Sequence, residues 1–160
     1  MVHKENKTNA MRILDSENIT YIIHSYDTED GLIDGVSVAE KCGENPENVF
    51  KTLVTIGSDC EHYVFVIPVK EKLNLKNAAK SVGVKSIEMI HQKELLPLTG
   101  YIHGGCSPIG MKKKFQTVYD ETILIIDHIY VSGGKVGLQI ELNPEALLKI
   151  TEGSTANLVQ

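Results

Sequence analysis

Val49-Phe50-Lys51-Thr52-Leu53-Val54-Thr55-Ile56 and His62-Tyr63-Val64-Phe65-Val66-Ile67-Pro68-Val69 are two short runs rich in β-branched and aromatic residues. They read as strands, and Gly57-Ser58-Asp59 between them reads as the turn of a hairpin. In the first run, alternation puts Lys51 on the side of Val49 and Leu53, while Phe50, Val54 and Ile56 take the other. Both sides are apolar, so the strand is expected to be buried on both. A lysine there is costly unless its ammonium reaches a polar cleft or a ligand. Snorkelling at a strand end is the alternative.

Working outward, the other elements are shorter. Towards the N-terminus, Asn9 to Glu17 carries an apolar helical face, and Thr20 to Ser25 is β-prone. Asp27 to Gly35 is acidic and turn-like. Ser37 is a candidate cap for a helix that stops at Gly43, and Asn45-Pro46 opens a further helical turn. On the other side, Asn74 caps a helix ended by Gly83. Ser86 to Ile90 reads as a strand and His91 to Leu95 as a helical turn. Thr117–Asp120, Ile123–Ile126 and Ile129–Val131 are all β-like. Ser132-Gly133-Gly134-Lys135 reads as a turn, Leu138–Leu142 as a strand, and Asn143-Pro144 caps a last helix to about Ile150. Thr151 to Gln160 looks like a frayed tail. Many strands with irregularly scattered helices, and no βαβ rhythm, predict an α+β fold with a mixed sheet. The 160 residues are expected to form a single domain, its core spanning about residues 7–150.

Thr99-Gly100-Tyr101-Ile102-His103-Gly104-Gly105-Cys106-Ser107-Pro108-Ile109-Gly110 has the composition of a shaped loop. Glycine permits positive φ and close backbone approach, and proline stiffens the chain beside it. Such a loop can aim several N–H groups at one point. Lys112-Lys113-Lys114 follows directly. Between Val66 and Lys114 there are nine lysines against three acids, a local excess of six positive charges on a chain whose net charge is −5. A basic region of this kind either meets phosphates or is a solvated face.

Composition excludes several classes. With 42% hydrophobic and 23% charged residues the chain is ordinarily globular, and no apolar run spans a bilayer. Met1 to Lys7 lacks the apolar core of a signal peptide. Cys42, Cys60 and Cys106 are odd in number and form no CxxC, which argues against a disulfide framework or a zinc site and for a cytoplasmic setting. The histidines show no HxxxH or HExxH spacing, and no Walker A, Rossmann or G-x-S-x-G motif is present, so neither metal nor cofactor is expected. Cys106 lies near His103 in sequence but reads as a small apolar filler rather than a nucleophile. Ser107, ahead of Pro108, is placed to cap its own turn or to meet a ligand.

Three separated segments, Phe50-Lys51-Thr52-Leu53, Thr99-Gly100-Tyr101 with Gly104-Gly105-Cys106-Ser107-Pro108-Ile109-Gly110, and Tyr130-Val131-Ser132-Gly133-Gly134-Lys135 with Gly137-Leu138, together resemble the YbaK/EbsC family of aminoacyl-tRNA deacylases. These are free-standing relatives of the editing domain of bacterial prolyl-tRNA synthetases. The resemblance runs from about Lys7 to Ile150. It implies a mixed, mostly antiparallel and partly barrel-like sheet surrounded by helices. It also implies release of cysteine from mischarged Cys-tRNA(Pro), and possible action on Cys-tRNA(Cys). By that resemblance Lys51 is the pocket lysine and Tyr26 a pocket tyrosine. Gly104, Gly105, Ser107, Pro108 and Gly110 lie beside the scissile ester, and Ser132, Gly133 and Gly134 form a second wall. Gln139 stands where the family commonly has aspartate; it can hydrogen-bond but carries no charge. Cys106 replaces an aliphatic residue. The expected partners are the acceptor end of an aminoacyl-tRNA, met by Lys112, Lys113 and Lys114, and prolyl-tRNA synthetase. Two other readings stay open: a deacylase of another small residue such as alanine on tRNA(Pro), and a non-catalytic tRNA- or nucleotide-binding module.

Overall fold

Strands β2 (Phe50–Gly57) and β3 (His62–Pro68) pair antiparallel in the register Phe50↔Pro68 to Ile56↔His62 in the computed structural model, which describes residues 7–160. The N-terminal stretch read above for a leader lies largely outside the described residues. From Tyr63 onward β3 is apolar or aromatic and buried, because both its faces are covered. Val64 and Val66 join a large core, while Tyr63, Phe65 and Ile67 join a second one behind the sheet. Phe65 is fully buried, and cutting it to alanine would cost about 3–5 kcal/mol.

Around this hairpin runs a five-stranded mixed sheet. β4 (Ile87–Met89) pairs antiparallel with β2, β5 (Gln116–Asp120) pairs parallel with β3, and β8 (Ser154–Ala156) pairs parallel with β5. A second, antiparallel sheet is formed by β1 (Tyr21–Ser25), β7 (Leu138–Leu142) and β6 (Ile129–Lys135), in that order. Among the described residues the sheets join through one isolated parallel bridge, Val49 to Tyr130. The large core between them also takes Ala10, Met11 and Leu14 of helix α1 (Asn9–Ser16) and Leu147 of α5 (Pro144–Ile150). Helices α2 (Gly35–Cys42), α3 (Leu75–Val82) and α4 (Leu95–Thr99) lie outside the sheets, and Ala78 and Ala79 of α3 seal the second core. The fold is α+β.

The capping readings hold for several helices. The Asn74 side chain accepts from the Asn77 N–H, Gly83 takes the left-handed conformation after α3, and Asn143 Oδ1 accepts from Glu145 and Ala146.

Four readings are corrected. Asp34, not Ser37, caps α2: its carboxylate accepts from both the N–H and the hydroxyl of Ser37. Residues 123–126 are not a strand. Asp120 Oδ2 takes the Thr122 N–H and hydroxyl, turning the chain into a 3₁₀ helix over Glu121–Ile125. Ser132 to Lys135 is a bulged end of β6 rather than the turn, which falls at Val136-Gly137. The C-terminal segment is not frayed. β8 adds to the sheet edge, Leu158 is fully buried, and the Leu158 N–H donates to Asp120 Oδ1 at 3.0 Å.

Candidate active site

The strand β2, the glycine loop, the start of α2 and the β6–β7 hairpin enclose a cavity of about 400 Å³. Lys51 comes from β2, Gly104 from the loop, Ser132 from β6, Gln139 from β7 and Tyr26 from just beyond β1. Five residues expected at a site from sequence thus meet at one wall-lined space, although they lie as far apart in the chain as Tyr26 and Gln139.

The loop holds its shape through side chains. Tyr101 Oη donates to the Ile109 carbonyl at 2.6 Å, and Asn9 Nδ2 donates to the Gly110 carbonyl at 2.7 Å. The Ile109 N–H donates to Ser107 Oγ at 3.2 Å, so the buried serine hydroxyl caps its own turn. Gly104 has φ +84°, which favours glycine. At Gly105 the demand is spatial: a Cβ would stand 2.8 Å from the Val136 nitrogen. The glycine pair therefore lets the loop press its backbone against the β6–β7 turn.

Within this packing the loop N–H groups are not all committed to hydrogen bonds. The Gly105 N–H donates to the Ile102 carbonyl at 2.9 Å. Those of Gly104 and Cys106, both at the cavity wall, donate to no group among the described residues. Ser107, Gly105, Pro108, Gly110, Gly133 and Gly134 do not line the cavity. On the second wall, Thr8 Oγ1 donates to the Gly133 carbonyl and the Gly134 N–H donates to Ser132 Oγ.

Lys51 is half-buried and makes no ion pair or hydrogen bond among the described residues. Burial lowers its pKa, with Glu71 opposing and Lys72 assisting. Thr52, also at the wall, has a buried hydroxyl without a partner. Neither this hydroxyl nor Asp34 at the cavity wall was expected from sequence; the first sits within the quoted Phe50–Leu53 segment, and the second is the true cap of α2. Burial pushes the Cys106 thiol up to about 12, with Thr99 opposing, so it remains protonated within the large core. Lys112, Lys113 and Lys114 are exposed outside the cavity, and Lys114 pairs with Glu152. Among the described residues no group of His, Cys, Asp or Glu is arranged to hold a metal ion, and no helix is long and apolar enough to cross a membrane.

The sequence profile of the aminoacyl-tRNA editing domain matches residues 34–150. EbsC of Enterococcus faecalis, a proposed Cys-tRNA(Pro)/Cys-tRNA(Cys) deacylase, is 45% identical over 154 residues, 96% of this chain and 94% of that protein. The chain belongs to the YbaK/EbsC family of aminoacyl-tRNA editing domains. Among solved structures, a proposed trans-editing enzyme for prolyl-tRNA synthetase superposes with a TM-score of 0.82 at 22% identity, over 95% of each chain. The hypothetical protein APE2540 superposes with a TM-score of 0.86 at 21% identity, over 96% of this chain and all of that one. These two likenesses carry the fold. The YbaK/EbsC motif residues of this chain divide into cavity-wall groups (Lys51, Gly104, Ser132) and groups that shape the walls from behind (Gly105, Ser107, Gly110).

Proposed function

We propose that the protein is a trans-editing deacylase that releases cysteine from mischarged Cys-tRNA(Pro), with Cys-tRNA(Cys) also within its scope. The observation that carries the reading is an unpaired, half-buried lysine facing a cavity whose wall bears two uncommitted backbone N–H groups. An aminoacyl ester is already activated, so its cleavage needs positioning and charge stabilisation more than a strong base. The Gly104 and Cys106 N–H groups receive the ester carbonyl oxygen as it becomes an oxyanion. Lys51 holds that carbonyl or the terminal adenosine phosphate. Tyr26, Ser132, the Thr52 hydroxyl and the Gln139 amide orient the aminoacyl group. Gly105, Ser107, Pro108 and Gly110 fix the course of the loop, as Gly133 and Gly134 fix that of the second wall.

Two attackers fit this arrangement. Water adds to the carbonyl carbon, the ester C–O bond breaks, the ribose oxygen takes the proton, and free cysteine leaves. Alternatively the substrate's own thiol adds to that carbon, the same bond breaks, and the thiol proton goes to the departing ribose oxygen, giving a cyclic thioester and free tRNA. The terminal ribose hydroxyl assists either route, and the identity of the product separates them. Lys112, Lys113 and Lys114 meet the acceptor stem, and prolyl-tRNA synthetase supplies tRNA identity. The test is single-turnover release from tRNA(Pro) charged with cysteine, alanine or proline. Cysteine is expected to leave fastest. Preference for alanine would reassign the substrate, and tight binding without release of any of the three would make the protein a binding module instead.

A further inference from the structure

Glu44 follows Gly43, the left-handed cap of α2, and its N–H closes the helix end on the Ala39 carbonyl at 2.9 Å. An apolar residue ordinarily packs inward at this point. Here a glutamate does. Both its carboxyl oxygens are buried and neither completes a hydrogen bond among the described residues. From β7, the Gln139 amide stands close enough to act on Glu44's ionisation. Gln139 is itself buried, and its Oε1 is also without a partner. Three unpartnered buried acceptors in one place are costly.

One proton resolves all three. A neutral carboxylic acid and a primary amide pair through two hydrogen bonds: the acid O–H donates to the amide oxygen, and an amide N–H donates to the acid carbonyl. We propose that Glu44 is a positioning residue that, as the neutral acid, pairs with Gln139 in this way, fixes the plane of its amide and leaves one N–H to address the cavity. Gln139 then presents a donor where the aspartate common in the family would present an acceptor.

The surroundings favour the neutral form. Burial raises the Glu44 carboxyl above its ordinary range; His24, the Gln139 amide and His128 oppose this, and Glu141 adds to it. His24 on β1 is already committed to Glu141 Oε1 on β7 at 2.8 Å. His128, ahead of β6, is held by Asp127 and by Asn48 Nδ2. Tyr130 on β6 lies against both imidazoles, and Cys42 on α2 completes the ring of titratable groups. Glu44 is neutral below its raised pKa. As pH rises through that value the acid loses its O–H, only an amide N–H of Gln139 can still meet the carboxylate, and the plane of the amide is no longer fixed by two hydrogen bonds.

The pair itself is independent of the deacylase reading; only its catalytic consequence rests on it. The first experiment therefore follows the wild-type protein by NMR, titrating the Glu44 carboxyl carbon together with the Gln139 side-chain NH₂ signals. Both are expected to move with one midpoint above the ordinary carboxylate range of about 4. An ordinary Glu44 midpoint, or a Gln139 amide indifferent to it, would overturn the pair. The second experiment compares Glu44→Gln and Glu44→Leu in cysteine release from Cys-tRNA(Pro). An amide at residue 44 can make the same two hydrogen bonds without titrating. Glu44→Gln should therefore stay within about twofold of wild type at low pH and lack the falling limb that belongs to Glu44, keeping the one that belongs to Lys51. Glu44→Leu, folded, should lose about tenfold at all pH values. A folded Glu44→Gln that retains the wild-type limb, or is as slow as Glu44→Leu, defeats the positioning role. Coupled NMR titrations with no release from any charged tRNA would leave the pair standing and remove the deacylase instead.

Discussion

Lys51 and the run Lys112-Lys113-Lys114 are the same residue type put to opposite uses. Lys51 is half-buried on β2, unpaired, and burial lowers its pKa. The run is exposed, beyond the cavity, and Lys114 is already matched to Glu152. A desolvated ammonium gains force from having few competitors; an exposed one is screened and acts by number. The cavity lysine is therefore expected to govern the chemical step, and the run to govern encounter with a polyanion.

The largest effect that would break this contrast is at Lys51. Lys51→Ala should lower single-turnover cysteine release by about 100-fold or more. Its thermal midpoint should not fall below wild type, because removing an unpaired, desolvated charge relieves a cost. Circular dichroism and release assays on the same preparation check both, and near-normal release by a folded variant would dissolve the contrast. The lowered pKa adds a sign: Lys51 sheds its charge at lower pH than an ordinary lysine, so release declines as pH rises through that value.

Next in size is Gly105→Ala, which tests whether the loop must press against the hairpin for Lys51 to have a target. A methyl 2.8 Å from the Val136 nitrogen forces the two backbones apart. Stability should drop by roughly 1–3 kcal/mol in urea unfolding, and release should fall further than that of a core variant matched in stability. Equal losses in the two variants would reduce Gly105 to packing alone.

A smaller effect sharpens the other side. Replacing Lys112, Lys113 and Lys114 together by glutamine should weaken tRNA binding and make its salt slope shallower by about 2, while release at saturating tRNA changes little. An unchanged slope, measured by filter binding across salt concentrations, would make the run a solvated face. Smallest of all should be Cys106→Ala, which keeps most activity and loses about 1 kcal/mol of stability. A thioester trapped on Cys106 and seen by mass spectrometry would instead put a nucleophile beside Lys51.

The legible parts of the fold were those written in adjacent residues. The β2–β3 hairpin, the Asn74 and Asn143 caps and the Gly43 and Gly83 stops each rest on a few neighbouring side chains. What escaped depends on distant partners. β8 is three residues of Ser-Thr-Ala whose only signal is the edge of β5, and the turn after β5 is imposed by Asp120 over β-branched residues. The candidate site divides in the same manner. Lys51, Tyr26, Gly104, Ser132 and Gln139 are cavity-wall groups readable from motif and alternation. The isolation of the Thr52 hydroxyl and of the Glu44 carboxyl is a matter of burial without a partner in the folded chain, which no motif or alternation announces.

The bridge from Val49 to Tyr130 joins the sheets beside the cavity, whose walls come from both: Lys51 from one, Ser132 and Gln139 from the other. A ligand spanning that gap acts as a rivet across a seam. Its binding free energy would appear as slowed amide hydrogen exchange along β2 and β6, strongest near Val49 and Tyr130, while the β5–β8 edge, away from the seam, exchanges at its own pace.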